Sequence, residues 1–351
     1  MDSPAVSKLG NLQVERRDGY FSVTPKYEEL RILQVTDMHV MPWTARETYA
    51  SVRRICELFN ADLVANTGDF FCSAPGFYID WVCRRFDRDV GTRYPWTFAW
   101  GNHDCESFGD GDLRKAGRIE ALLEGLPGCL YMRGEASREK RPAKGDGDVR
   151  EKEASRVTTE EGRRRFDGFR GGNFALEIVN PVSGEPAVDL FILNSRRWHH
   201  AHPRALEWME SHSGRLGGTK SALPAICFYH VPNKEYQLGW GRGIARGINR
   251  EGVSFEKDDG RIHTFLKSLG CVRGCFVGHD HVNDYWFDMD GVRYSYGRKT
   301  GMGSYGTSLG EPEPGRKAIR VGATLITIGM KGGSFAIEHE TVFEDGTTWR
   351  P

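Results

Sequence analysis

Short unbroken apolar runs, each closed by polar residues or a glycine, recur from residue 30 onward. The first three are "LRILQVTD" (30–37), "DLVANTGD" (62–69) and "WTFAWGNHD" (96–104). Such runs read as strands buried on both faces, the pattern of a parallel sheet. Between the first two lies "TARETYASVRRICELF", where Tyr49, Val52, Ile55, Cys56 and Phe59 recur at helical spacing. Thr44 followed by Glu47 predicts a capping box at its start. A second helical pattern covers 77–90. Strand, helix, strand, helix, strand is the rhythm of βαβ units.

After a further helix, "GDLRKAGRIEALLEG", the pattern breaks. Residues 133–170 are dominated by charge, with few apolar anchors, and read as a charged insertion: a solvated disordered loop or a lid over a site. Beyond it, "NFALEIVN" and "AVDLFILNS" flank "PVSGEP" as a hairpin, and "PRALEWMESH" is a short helix. "LPAICFYH" is a strand, "GRIHTFLKSLG" a helix, and "CVRGCFVGHDH" a strand ending in two histidines. "YWFDMDGVRYSY", a hairpin turned at Asp290-Gly291, is expected to form a second, antiparallel set with "ATLITIG" and "SFAIEHETVF". The first 25 residues read as a tail or an edge strand. No internal repeat or linker divides residues 1–351, so the expectation is one domain with a two-layered β core.

Composition narrows the function classes. The chain has 48 Lys and Arg against 48 Asp and Glu, a formal net charge of zero. Bulk electrostatics therefore give no argument for an anionic membrane, and nucleic acid enters only as a substrate. The apolar runs are too short for a membrane span. The N-terminal stretch lacks a basic segment followed by an apolar one, so no secretory signal is expected. Eight cysteines show no CxxC repeat, and Cys56, Cys227 and Cys275 sit inside apolar runs, where a buried reduced thiol is the ordinary state. The expectation is a soluble, cytoplasmic protein.

The chemistry gathers at the strand ends. Five apolar runs close on residues that bind metals: Asp37 and His39; Asp69; Asn102 and His103; His230; His279 and His281. In an open α/β sheet the ligand site lies outside the carboxyl ends of the strands, so these ends can converge. Setting His103 aside leaves seven side chains, too many for one tetrahedral ion but suited to two ions sharing a carboxylate. Glycines precede Asp69, Asn102 and His279 and allow tight turns there.

The ordered set DMH, GD, GNHD, H, GHDH resembles the calcineurin-like metallophosphoesterase superfamily over residues 30–329. The resemblance implies a four-layered α/β/β/α sandwich, two mixed sheets flanked by helices, with two divalent metal ions, manganese, zinc or iron, at the strand ends. It implies that Asp37, His39, Asp69 and His281 hold one ion. Asp69, Asn102, His230 and His279 would hold the other. His103 would serve as a catalytic residue facing the substrate, oriented by Asp104. The stretches "YHVPNKEY", "GHDHVNDY" and "GRKTGMGSYG" resemble the purple-acid-phosphatase-like subgroup named "probable inactive". The stretch "GDFFCSAP" has no tyrosine where the purple enzymes carry their iron-binding one, so a ferric tyrosinate centre is not expected.

The implied activity is hydrolysis of a small-molecule phosphate ester, a monoester first and a diester as the alternative. A non-catalytic scaffold on the same fold is the reading from another class. Arg298 and Lys299 either contact a substrate phosphate or form a solvated basic turn. His199, His200 and His202 are expected to line a loop near the site. Cys72 and Cys105 are expected to pack beside the motifs rather than to ligate.

Overall fold

The computed structural model describes residues 6–71, 76–104, 113–133, 172–195, 203–215, 222–256 and 258–351. The charged insertion after Arg133, together with His199, His200, His202, Cys72 and Cys105, lies outside them.

Two large sheets face one another. The smaller contains β4 (Glu29–Val35), β5 (Leu63–Asn66), β6 (Trp96–Phe98), β16 (Ala323–Gly329), β17 (Ala336–Val342) and β18 (Thr348–Trp349), in the order β18-β17-β16-β4-β5-β6. The larger has ten strands. Its first three are β1 (Val6–Leu9), β2 (Leu12–Arg16) and β3 (Tyr20–Pro25). Then come β7 (Phe174–Val179), β8 (Pro186–Ile192), β9 (Ala225–Phe228), β10 (Arg246–Asn249), β11 (Val272–Val277), β12 (Asn283–Met289) and β13 (Val292–Tyr296). They run in the order β1-β2-β3-β7-β8-β9-β11-β13-β12-β10, and β14 (Thr307–Ser308) and β15 (Ile319–Arg320) pair by themselves.

Side-chain alternation explains why the strands read as unbroken apolar runs. In β9, Ile226 and Phe228 enter the core between the sheets, whereas Ala225 and Cys227 enter a second core on the outer face. Both faces are covered, so both sets are apolar. The outer core is closed by Met209 of helix Pro203–Ser213, Tyr236 of helix Glu235–Gly241, and Ile262 and Leu266 of helix Arg261–Leu269. On the other side α1 (Ala45–Phe59), α2 (Gly76–Phe86) and α3 (Leu113–Gly125) close the smaller sheet with Val52, Ile55, Val82, Ile119 and Leu123. The layers are helix, sheet, sheet, helix. No helix among the described residues is long and apolar enough to cross a membrane.

Several expectations need correction. The strands after residue 283 do not form a set of their own. β13 pairs parallel to β11, and β12 pairs with β13, in the large sheet. β16 runs antiparallel to β4 from Thr324↔Gln34 to Gly329↔Glu29 in the small one. Sequence periodicity identifies each hairpin but carries nothing about which sheet edge it joins. The capping box does not form: Thr44 makes no side-chain cap bond, and its Oγ1 accepts the Met41 N–H at 3.0 Å instead. The N-terminal stretch is a three-stranded ribbon whose last strand runs parallel to β7. β10 was not foreseen; Ile248 is its only strongly apolar residue, and it holds to the edge by pairing with β12.

Candidate metal centre

The three parallel strands of the small sheet, β4, β5 and β6, and two parallel strands of the large one, β9 and β11, deliver their carboxyl ends to the same place. Gln34 joins the sheets there, its Nε2 donating to Thr67 Oγ1 and Val277 O, both at 3.0 Å. The loops then stack by backbone bonds: Asp37 N to Gly68 O at 3.1 Å, His39 N to Asp69 O at 2.9 Å, and Gly278 N to His230 O at 3.1 Å.

The expected ligands converge. Asp37, His39, Asp69 and His281 each offer one ligand atom, and these atoms lie within 4.8 Å of one another; Asp69, His230 and His279 form a second such group. Asp69 belongs to both. Its Oδ2 is 3.1 Å from His230 Nε2, 3.6 Å from His39 Nε2 and 4.0 Å from His103 Nε2. Asp37 Oδ1 is 3.5 Å from His281 Nε2 and 3.9 Å from His230 Nε2.

The donor set fits cations. Asn102 Oδ1 is buried with no hydrogen-bond partner among the described residues, and Asp69 Oδ2 and His230 Nε2, 3.1 Å apart, bond one another only when His230 is protonated; such groups cost folding free energy unless something satisfies them. The Nε2 atoms of His39 and His281 meet at 3.0 Å. Two such lone pairs repel unless a proton or a metal cation lies between them. The outward nitrogens are fixed by carbonyls. His230 Nδ1 lies 2.8 Å from Thr67 O, and His281 Nδ1 lies 3.1 Å from Tyr305 O. A carbonyl only accepts, so each Nδ1 carries the hydrogen and each Nε2 is left to bind.

Electrostatics agree. Burial pushes His39 down to about 3 and His279 down to about 4, so both rings are neutral at pH 7. Burial works the same way on His230, but the Asp69 charge prevails and raises it to about 10. Asp37 is held well below the usual carboxylate range, against burial, by His281 and His230. Two buried carboxylates thus demand positive charge at this point, supplied by a proton on His230 or by a cation.

The backbone is strained where the expected ligands sit. Asp37 (φ 51°), His39 (φ 39°), Asp69 (φ 50°) and His279 (φ 82°) all adopt the left-handed region, which costs a non-glycine residue about 1–2 kcal/mol. Of the glycines preceding ligands, Gly68 has a positive φ; Gly101 and Gly278 are needed for close approach. A Cβ on Gly101 would fall 2.2 Å from Asp69 Oδ1, and one on Gly278 1.9 Å from Thr36 Oγ1. Nothing in residue type signalled that the ligands themselves would be strained.

Two expectations are overturned. Asp104 does not orient His103. It is fully buried, its Oδ1 accepts the N–H groups of Phe70 and Phe71, and its Oδ2 accepts those of Asp69 and Gly101, at 2.8–3.1 Å. It braces the loop that carries Asp69. Arg298 and Lys299 do not form a solvated turn: both are buried and turned inward onto protein partners. Arg298 Nε pairs with Asp284 Oδ2 at 2.8 Å beneath the Phe343 and Trp349 rings. Lys299 Nζ donates to Asp37 O at 2.9 Å and Gly303 O at 2.7 Å, with only 1% of the residue exposed. A buried ammonium among carbonyls holds the DMH loop to the irregular segment after β13. Ser195, not foreseen, accepts the N–H groups of His230 and Val231 through Oγ at 2.9 and 2.8 Å; only the fold brings it there.

Two plant proteins are similar to this chain along most of its length. It is 23% identical to "Probable inactive purple acid phosphatase 29" of Arabidopsis thaliana over 333 residues, covering 83% of this chain and 76% of the relative. It is 27% identical to "Probable inactive purple acid phosphatase 28" of the same plant over 312 residues, covering 79% of this chain and 71% of the relative. Among solved structures, GAP50, "the anchor in the inner membrane complex of Plasmodium", superposes with a TM-score of 0.50 at 11% identity, over 92% of this chain and 88% of that one. The Calcineurin-like phosphoesterase family matches residues 30–283, from the first strand of the small sheet through the "GHDH" motif. On that match the chain belongs to the calcineurin-like phosphoesterase family.

Proposed function

We propose that this chain is a dinuclear metallophosphoesterase that hydrolyses small-molecule phosphate esters, monoesters ahead of diesters. Asp37, His39, Asp69 and His281 would hold one divalent cation, and Asp69, Asn102, His230 and His279 the second. The observation that carries this is Asp69 Oδ2: buried, met by no backbone N–H, and within 4.0 Å of three imidazole nitrogens on three different loops. Two cations bound there would polarise a phosphoryl group and lower the pKa of water toward neutrality. Mixed oxygen and nitrogen donors suit manganese, zinc and iron alike.

The remaining work falls to the chain's own groups. His103 differs from the buried histidines around it, with 40% of its side chain exposed beside Asp69. It is the residue suited to give a proton to the departing oxygen. Its backbone N–H donates to Asp69 Oδ1 at 2.9 Å, which ties the residue to the shared carboxylate. Asp104 holds that carboxylate's loop in register from beneath.

A second reading, a non-catalytic scaffold, is favoured by the word "inactive" in the names of both curated relatives. One experiment separates the two. Protein reconstituted separately with excess manganese, zinc or ferrous iron is analysed for metal content, then assayed on nitrophenyl phosphate and its bis-ester. The proposal expects two ions per chain, faster monoester than diester turnover, and loss of turnover in Asp69→Asn. Saturation at one ion sinks the dinuclear site. Two ions without turnover of either ester leave the scaffold.

A further inference from the structure

The stretch "GRKTGMGSYG", which holds no expected ligand, lies against two of them. Thr300 N donates to Thr36 O at 3.0 Å, so the segment runs beside the DMH loop. A Cβ on Gly301 would stand 2.0 Å from Met38 O, and one on Gly303 2.1 Å from His39 O. Those contacts admit only glycine. Ser304 then turns through the left-handed region (φ 64°) and aims Tyr305 at His281. The two rings stack at 4.2 Å between centroids with 19° between planes, and Tyr305 O takes the His281 Nδ1–H. Gly306, at φ 77°, passes so close to Val282 that a Cβ would fall 2.6 Å from its Cγ1.

Tyr305 is itself gripped. Its hydroxyl lies 3.0 and 3.2 Å from the two Glu251 carboxylate oxygens. Glu251 Oε1 also accepts the Val282 N–H at 3.0 Å, next to His281 in the chain. Lys317 Nζ pairs with Glu251 Oε2 at 2.8 Å and sits 5.4 Å above the Tyr305 ring. His281 is therefore held in its plane by a stacked ring, in its tautomer by a carbonyl of the same residue, and along its backbone by the carboxylate that anchors the ring.

We infer that Tyr305, clamped by Glu251, is a positioning residue for His281, and that the glycine-rich strap fixes the distance between His281 and His39. The inference rests on the ligand set proposed above. It predicts that the cation position shared by Asp37, His39 and His281 depends on a tyrosine ring that touches no cation. Loss of an outer partner of a metal-binding histidine typically weakens binding about 10–100-fold.

Tyr305→Ala, Tyr305→Phe and wild type are titrated with manganese by calorimetry. Imidazole nitrogen spectra of the metal-free proteins report the His281 tautomer. The expected result is two manganese sites in wild type and, in Tyr305→Ala, one site weakened about 10–100-fold with the other unchanged. Tyr305→Phe, which keeps the ring and loses only the Glu251 bond, should recover most of that affinity. Metal-free wild type should show His281 as a single Nδ1–H tautomer, and Tyr305→Ala, whose retained carbonyl is no longer held in place by the stacked ring and its Glu251 clamp, a mixture. Wild-type affinity at both sites and an unchanged tautomer in Tyr305→Ala would overturn the inference. So would equal weakening at both sites, the mark of general loosening. A wild type that binds fewer than two ions while Tyr305→Ala loses its single tautomer would count against the dinuclear site and for the strap.

Discussion

Glu120 offers a quantitative test of how the floor beneath Asn102 is built. Its carboxylate, 4% exposed on α3, receives the Tyr131 hydroxyl at 3.0 Å, and Tyr131 in turn accepts the Trp100 Nε1–H at 2.8 Å. Trp100 lies two residues before Asn102. Burial pushes the Glu120 carboxyl from 4.5 up to about 7, against the favourable Tyr131 bond. The sign follows from linkage. Between about pH 4.5 and 7 the folded protein keeps this proton and the unfolded chain releases it, so the group's contribution to stability falls as pH rises through the window. A gap of about 2.5 units at about 1.4 kcal/mol each gives a loss of about 3 kcal/mol.

Glu120→Gln keeps an oxygen for Tyr131 and removes the titration. Its new amide hydrogens cost something, but by an amount independent of pH, so a double difference cancels that cost. Urea unfolding of metal-free wild type and Glu120→Gln at pH 5 and pH 8 should give a variant that gains about 2–3 kcal/mol on wild type between the two values. A double difference under about 1 kcal/mol would mean that the carboxyl titrates near its ordinary value and that burial does not control it.

Two further outcomes bear on the centre. Gly278→Ala would place a methyl 1.9 Å from Thr36 Oγ1 and 2.7 Å from Asp37 Oδ2, so it should cost about 1–3 kcal/mol and lower metal content; Gly291→Ala, in open space at a hairpin tip, should cost about 1 kcal/mol from its positive φ and leave metal content intact. Calorimetry and elemental analysis of both variants check this, and intact metal content in Gly278→Ala would refute the close-packing argument. His103→Ala should retain both ions yet lose about 10²–10⁴-fold in rate on alkyl phosphates and much less on nitrophenyl phosphate, whose leaving group departs without a proton. Equal losses would make His103 a stabiliser of charge, and a lost ion would make it a ligand.

The convergence of the expected ligands was legible because each closes an apolar run, and a parallel strand must end where its helix connection begins. Apolar periodicity located β4, β5, β9 and β11, and the carboxyl-end rule did the rest. The roles of the charged residues around the set were not legible. Asp104, Arg298 and Lys299 look in sequence like chemistry: an acid beside a histidine, and two cations among glycines. In the fold each is spent on backbone or on an internal ion pair, because burial leaves a charged group no other stable state. What decides their role is the partner, and the partners are distant in sequence: Asp69 to Phe71 for Asp104, Asp284 for Arg298, Asp37 O for Lys299.

The same distinction explains the strain. Four of the seven expected ligands hold a left-handed backbone at about 1–2 kcal/mol each, several kcal/mol in all. No regular structure sets these angles; they persist because the surroundings over-determine them. Asp104 pins the Asp69 loop by accepting three of its N–H groups together with that of Gly101, Lys299 pins the DMH loop by Asp37 O, and Asp37 itself accepts the His279 N–H at 3.0 Å. Asp104 and Lys299, which in sequence look catalytic or substrate-binding, are thus the ones that keep the expected ligands in conformations they would not choose. A centre held this way loses metal when a brace is removed even though no ligand is touched. Asp104→Asn illustrates the point: one oxygen gone leaves two of the four N–H groups it accepts unpaired, and at about 1–3 kcal/mol for each unpaired buried group the strained Asp69 turn has more to gain by relaxing than by holding its place.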